Sequence, residues 1–98
     1  MTINKTQDGT ALTLALEGRL DTTTAPELDS VIKSDLGGIT SLTMDLEKLE
    51  YLSSAGLRVL LSAQKTMNKQ GEMVVIHTNE TIMEIFEITG FSDILTIQ

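Results

Sequence analysis

The chain has 98 residues, with fourteen acids against seven lysines and arginines and a formal net charge of −7. That is the length of one domain, 1–98, and an apolar content of 41% belongs to a globular core rather than a disordered segment. So few and so scattered basic residues exclude nucleic acid and an anionic membrane surface as partners, and the absence of cysteine removes disulfides, thiolate metal sites and cysteine nucleophiles. The start, Met1-Thr2-Ile3-Asn4-Lys5, lacks the apolar run of a signal peptide. No stretch approaches the roughly 18 apolar residues of a membrane span. A cytoplasmic domain, a monomer on its own, is the expectation. Tyr51, Phe86 and Phe91 are the only aromatics, so the core must be aliphatic.

Residues 2–7 alternate weakly and read as a short strand. Asp8-Gly9 is a strong hairpin signal. Leu12, Leu14 and Leu16 then alternate with Thr13, Ala15 and Glu17, the pattern of a half-buried strand that Gly18 closes. Thr24-Ala25-Pro26-Glu27 fits a capping box, with proline in the first turn, where it costs no hydrogen bond. Ala25, Leu28, Val31, Ile32 and Leu36 fall on one helical face, and Gly37-Gly38 ends the helix. Leu42, Met44 and Leu46 alternate with Thr43, Asp45 and Glu47 in a second clear strand, and Lys48 to Leu52 reads as a loop. From Ser53 or Ser54 the period is helical: Gly56, Leu60, Ala63 and Met67 make a stripe flanked by Leu57 and Leu61, with Gly71 as the stop. Met73 to Ile76 is a continuous apolar run, expected of a strand buried on both faces. Asn79 can cap a helix whose inward face holds Ile82 and Phe86, Gly90 ends it, and Ile94, Leu95 and Ile97 point to a last strand.

The order β-β-α-β-α-β-α-β predicts an α/β domain. Its sheet is mixed, of four or five strands, with helices near 24–36, 54–70 and 79–89 and an antiparallel edge from the first hairpin.

Two serines stand where the second helix begins. Ser53 and Ser54 there serve first as candidate N-caps, since serine is among the best capping residues. Gly56 in the first turn weakens the helix locally, so its use is the close approach of another group, in the neighbouring strand or in a partner. A helix N-terminus at the carboxyl edge of a parallel sheet is also where a phosphate is tolerated and where partners bind. An enzyme would have to use Ser54, the single histidine His77 and a carboxylate such as Asp45. The segment Leu52-Ser53-Ser54-Ala55-Gly56 lacks the glycine that precedes a nucleophile in an elbow, and no phosphate loop ending in Lys-Ser or Lys-Thr occurs. With one histidine and dispersed acids, no metal site is expected, no cofactor either, and the chain does not read as an enzyme.

Leu52-Ser53-Ser54-Ala55-Gly56-Leu57, preceded by Met44-Asp45-Leu46, closely resembles the anti-sigma factor antagonist family, whose fold is the STAS domain. Gly18-Arg19-Leu20-Asp21 with Thr24-Ala25 resembles the family's loop between second strand and first helix, and the pattern covers nearly the whole chain. The resemblance implies an unphosphorylated form that binds an anti-sigma factor serine kinase and releases a sigma factor. Phosphorylation ends that binding, and a metal-dependent serine phosphatase restores it. The family's acceptor stands two residues before the motif glycine, which is Ser54 here. Ser53, the alternative acceptor, occupies a place where many members carry aspartate. The implied partner surface comprises Asp21, Ser53, Ser54, Gly56 and Leu57. Asp21 has a plain reading as an Asx turn or cap and a functional one as a carboxylate facing an arginine of the kinase. The rival within the same fold is a constitutive regulatory or scaffold subunit of a stress-signalling assembly or a lipid-transport ATPase.

Overall fold

Strand β1 (Thr2–Asp8) turns at Gly9 into β2 (Ala11–Leu20), and α1 (Ala25–Asp35), β3 (Ser41–Leu52), α2 (Ser54–Asn68), β4 (Glu72–Ile76) and α3 (Glu80–Thr89) follow, in a computed structural model that describes residues 1–98. Asp8 pairs with Ala11, so the hairpin loop is two residues, and Gly9 takes the positive φ of 62° that a primed hairpin turn requires at its first position. The sheet order is β1-β2-β3-β4. The first pair is antiparallel and the other two are parallel. This is the mixed sheet expected from the alternation, because each parallel neighbour is reached through a helix.

The even-numbered leucines of β2 and the matching residues of β3 (Leu42, Met44, Leu46) face the helices, as do Met73 and Val75 of β4. Onto that face pack Ala25, Leu28 and Ile32 of α1, Leu57, Leu60, Ala63 and Met67 of α2, and Ile82 and Phe86 of α3, all in one cluster of 24 buried apolar residues. The opposite face keeps Thr13, Thr43, Asp45, Val74 and Ile76 only half-buried. The run Met73 to Ile76 is therefore buried on one face, not two, because the helices all contribute to a single core. No helix is long and apolar enough to cross a membrane.

Other expectations change as well, beginning with Gly18, which does not close β2: the strand runs on to Leu20. Lys48 to Leu52 is strand, not loop. The pairing with β2 skips one residue between Asp45 and Lys48 and another between Leu49 and Tyr51. Two bulges on β3 break the period of two, so buried Leu46, Leu49 and Leu52 recur every third residue and no longer look like a strand. The last strand is reduced to one parallel bridge, Val75 with Ile97, carried by Val75 N–H to the Thr96 carbonyl at 2.8 Å and Gln98 N–H to the Val75 carbonyl at 2.9 Å. The chain first spends Phe91–Asp93 in a 3₁₀ turn and keeps Ile94 helical, leaving too few residues to run beside β4. Thr24 occupies the α1 cap position but makes no side-chain cap bond to the helix. Its hydroxyl donates to the Arg19 carbonyl at 2.8 Å and accepts from Asp21 N–H at 2.9 Å, so the preceding turn has taken the oxygen the capping box needed.

The other caps hold. Asn79 Oδ1 accepts from Ile82 N–H at 2.9 Å while its amide donates to the Leu49 carbonyl, fastening α3 to the bulged end of β3. Gly90 ends α3 in the left-handed conformation.

Candidate functional site

Leu20 and Leu52 lie side by side as the last paired residues of β2 and β3, and Ser53 N–H donates to the Leu20 carbonyl at 2.9 Å. The residues that follow each leucine, Asp21 on one side and Ser53-Ser54 on the other, therefore emerge on adjacent loops at the carboxyl edge of the parallel pair. That edge is where open α/β sheets place their binding sites.

The two serines divide the work. Ser53 is the N-cap of α2, in extended conformation, its Oγ accepting from Gly56 N–H at a long 3.5 Å. Ser54 is the first helical residue. It is exposed, and no group of the chain bonds its hydroxyl. Ser53→Ala is expected to lower stability by about 1 kcal/mol, while Ser54→Ala should stay within about 0.5 kcal/mol of wild type. Urea unfolding of the two variants checks this, and equal losses would contradict the assignment of the cap.

Gly56 and Leu57 lie below this surface. A Cβ on Gly56 would sit 2.6 Å from Leu20 Cγ and 2.8 Å from Leu52 Cδ1, so the glycine is there for a close approach within the chain. Leu57 is 6% exposed and belongs to the core, so it offers no apolar contact to a partner at the surface. The exposed part of the motif is Ser54, with half-buried Ser53 and Ala55 beside it.

Asp21 forms the turn that launches α1. Its Oδ1 accepts from the Thr23 hydroxyl at 2.8 Å, Thr23 N–H at 3.0 Å and Thr24 N–H at 3.2 Å, and its main-chain carbonyl accepts from Ala25 N–H. Of the plain readings of this residue the Asx turn is the one realised; the cap position of α1 belongs to Thr24, and the Asp21 carboxylate bonds no N–H of the helix. Oδ2 faces Arg19 Nε at 3.7 Å, and that guanidinium stacks over the Tyr51 ring, 4.2 Å from its centroid. The Thr23 hydroxyl bond, with smaller help from the backbone N–H groups, holds the Asp21 carboxyl below its ordinary range. A depressed carboxyl contributes stability that is complete above the ordinary value of 3.8 and is lost as the pH falls through the lower folded value. Thr23→Val removes the leading cause and should raise the Asp21 midpoint, read by NMR titration of its carboxyl carbon. An unmoved midpoint would refute this account of the turn.

The STAS domain family model matches residues 2–98. The chain belongs to the STAS domain family. It is 32% identical over 97 residues to an anti-sigma-B factor antagonist of Listeria monocytogenes, covering 96% of this chain and 84% of the relative. Its fold is similar to a crystal structure of an anti-sigma factor antagonist from Mycobacterium paratuberculosis, with a TM-score of 0.88, 22% identity and coverage of 98% and 83%. It is also similar to the Bacillus cell fate determinant SpoIIAA in its phosphorylated form, with a TM-score of 0.78, 16% identity and coverage of 99% and 91%.

This STAS domain also assembles a cluster that the sequence reading missed. Asp45, Glu47 and His77 bring one potential ligand atom each to within 4.8 Å of one another, although the acids look dispersed along the chain. The register Asp45 with Ile76 is what puts His77, the next residue, beside the carboxylate. An i, i+2 acid pair on one strand is the only local signal, and it says nothing of the histidine. Asp45 Oδ1 meets His77 Nδ1 at 3.0 Å and accepts from Glu47 N–H at 3.1 Å, the backbone group next to the first bulge. The same placement separates the residues that an enzyme would need. From Asp45 to Leu52 the strand runs seven residues, roughly 20 Å, so Ser54 and the His77–Asp45 pair lie far apart along β3.

Proposed function

We propose that this STAS domain is an anti-sigma factor antagonist operated by phosphorylation of Ser54. In this reading the unphosphorylated chain binds an anti-sigma factor serine kinase through the edge formed by Asp21, Ser53 and Ser54, and the sigma factor is released. Transfer of a phosphoryl group to Ser54 ends the complex, and a metal-dependent serine phosphatase restores it. Gly56 and Leu57 serve by seating the first turn of α2 on the core rather than by touching the partner.

The observation that carries the reading is the division between the serines: Ser53 caps the helix, while Ser54 stands exposed with an unbonded hydroxyl on the same edge as Asp21. A kinase can reach such a hydroxyl without unfolding anything. A phosphate there carries about −1.5 to −2 charges, which the helix N-terminus tolerates and a partner's carboxylates do not. The function named for the Listeria relative supports the same reading.

The test is incubation of the chain with its anti-sigma kinase and ATP, followed by peptide mass spectrometry. One phosphate on Ser54, abolished by Ser54→Ala and only slowed by Ser53→Ala, is expected. Phosphate on Ser53, or none with persistent binding, would overturn the switch and favour a constitutive scaffold subunit.

A further inference from the structure

The α2 helix has no acidic residue in its first turn, and Arg58 stands four residues after Ser54. Residues at i and i+4 share a helix face, and side chains lean toward the helix N-terminus, so Arg58 is set to reach back over position 54. An acid followed by a base four residues later is the favourable order of such a pair, since the helix dipole acts in the same sense. Arg58 is exposed and takes part in none of the chain's ion pairs. It lines an open groove between the first turns of α1 and α2 with Thr22, Ala25, Pro26, Asp29 and Ala55. Asp29, the one acid in that groove, is already bound to Lys33 at 2.8 Å, and Asp21 is held by its own turn and by Arg19. The helix thus carries a free guanidinium one turn beyond a free hydroxyl.

We propose that Arg58 is the internal receptor of the phosphate on Ser54. This rests on the switch reading above for the site of modification. The guanidinium donates its N–H fork to the phosphate oxygens, a geometry that suits a phosphate better than a lysine ammonium does. The phosphate is thereby folded back along α2 and partly neutralised within the domain. Phosphorylation also draws Arg58 away from the groove between α1 and α2, so one modification changes two features of the binding edge.

The experiment needs no kinase. Phosphoserine is installed at position 54 of the full chain by codon suppression, and the second ionisation of the phosphate is followed by phosphorus NMR. Arg58→Ala should raise the proton affinity of the phosphate about threefold over wild type, with Arg58→Lys in between. The Arg58 Nε–H resonance should move when phosphoserine replaces serine. Phosphoserine installed at position 53, out of the i, i+4 register, should respond less to Arg58→Ala. Circular dichroism confirms that the variants, altered only at an exposed residue, are folded. Equal midpoints in wild type and Arg58→Ala would overturn the proposal, as would an equal response at position 53. If the shift appears but the kinase and ATP leave Ser54 of the unphosphorylated chain unmodified, the switch falls and the Arg58 contact stands.

Discussion

Ser54→Asp is expected to weaken the complex with the anti-sigma kinase about thirty- to hundredfold, the equivalent of roughly 2–3 kcal/mol, while Ser54→Ala binds as wild type does. The effect should be confined to binding. Position 54 is the first residue of α2, where an acid is favoured by the unpaired N–H groups of the helix start, and its side chain holds no contact whose loss would weaken the fold. At an interface the same carboxylate must shed water and face whatever acids the partner brings, and both terms oppose association. Calorimetric titration of the three proteins into the nucleotide-bound kinase measures the difference, and their melting temperatures should agree within about 3 °C. Because the chain carries a net charge of −7, association should also slow as salt screens the attraction to a basic rim. Equal affinities for the three folded proteins would remove Ser54 as the control point.

The largest effect on stability is expected far from this edge, at Gly71→Ala. After α2, Gly71 N–H donates to the Met67 carbonyl at 2.7 Å, and the next residue, Glu72, donates to the Thr40 carbonyl at 3.0 Å as β4 joins β3. A Cβ on Gly71 would be driven into that Thr40 carbonyl, which is backbone and cannot rotate away. Relief requires parting the start of the Ser41–Glu72 pairing, and Thr40 is itself tied to the Thr10 carbonyl by its N–H at 2.9 Å. Overpacking of side chains costs about 1–3 kcal/mol, and a clash with fixed backbone belongs at or above the top of that range. For a domain of this size that lowers the melting temperature by about 10–20 °C. Gly37→Ala is the control: its Cβ would meet nothing within 4 Å and its φ is not positive, so it should be neutral or slightly stabilising. A thermal melt that fails to separate the two variants would refute the close approach as the reason for Gly71. Gly56→Ala falls between them, because it collides with side chains, Leu20 and Leu52, although these are only 0% and 2% exposed and have little room to give.

By itself the sequence determined whatever depends on neighbours along the chain. Leu12-Leu14-Leu16 and Leu42-Met44-Leu46 declare strands because side chains alternate across a sheet, and the stripes of α1, α2 and α3 declare helices because 3.6 residues complete a turn. The Asp8-Gly9 turn, the Ser53 and Asn79 caps and the left-handed Gly90 are local for the same reason: each satisfies a backbone group within a few residues. The candidate edge was legible too, since Gly18-Arg19-Leu20-Asp21 and Leu52-Ser53-Ser54-Ala55-Gly56 are contiguous motifs at strand ends.

Only the tertiary structure decided what depends on which strands lie side by side. The bulges that carry β3 through Leu52 are a property of its pairing with β2, and from one strand alone they look like a lost period. Leu57 turned inward because α2 lies close over Leu20 and Leu52, at a distance that only Gly56 permits. His77 meets Asp45 across 32 residues because β4 sits in parallel register with β3. Periodicity can say which face of an element is apolar. It cannot say how closely two backbones approach or which residue of a neighbouring strand stands opposite, because those distances are set by the packing of the whole core.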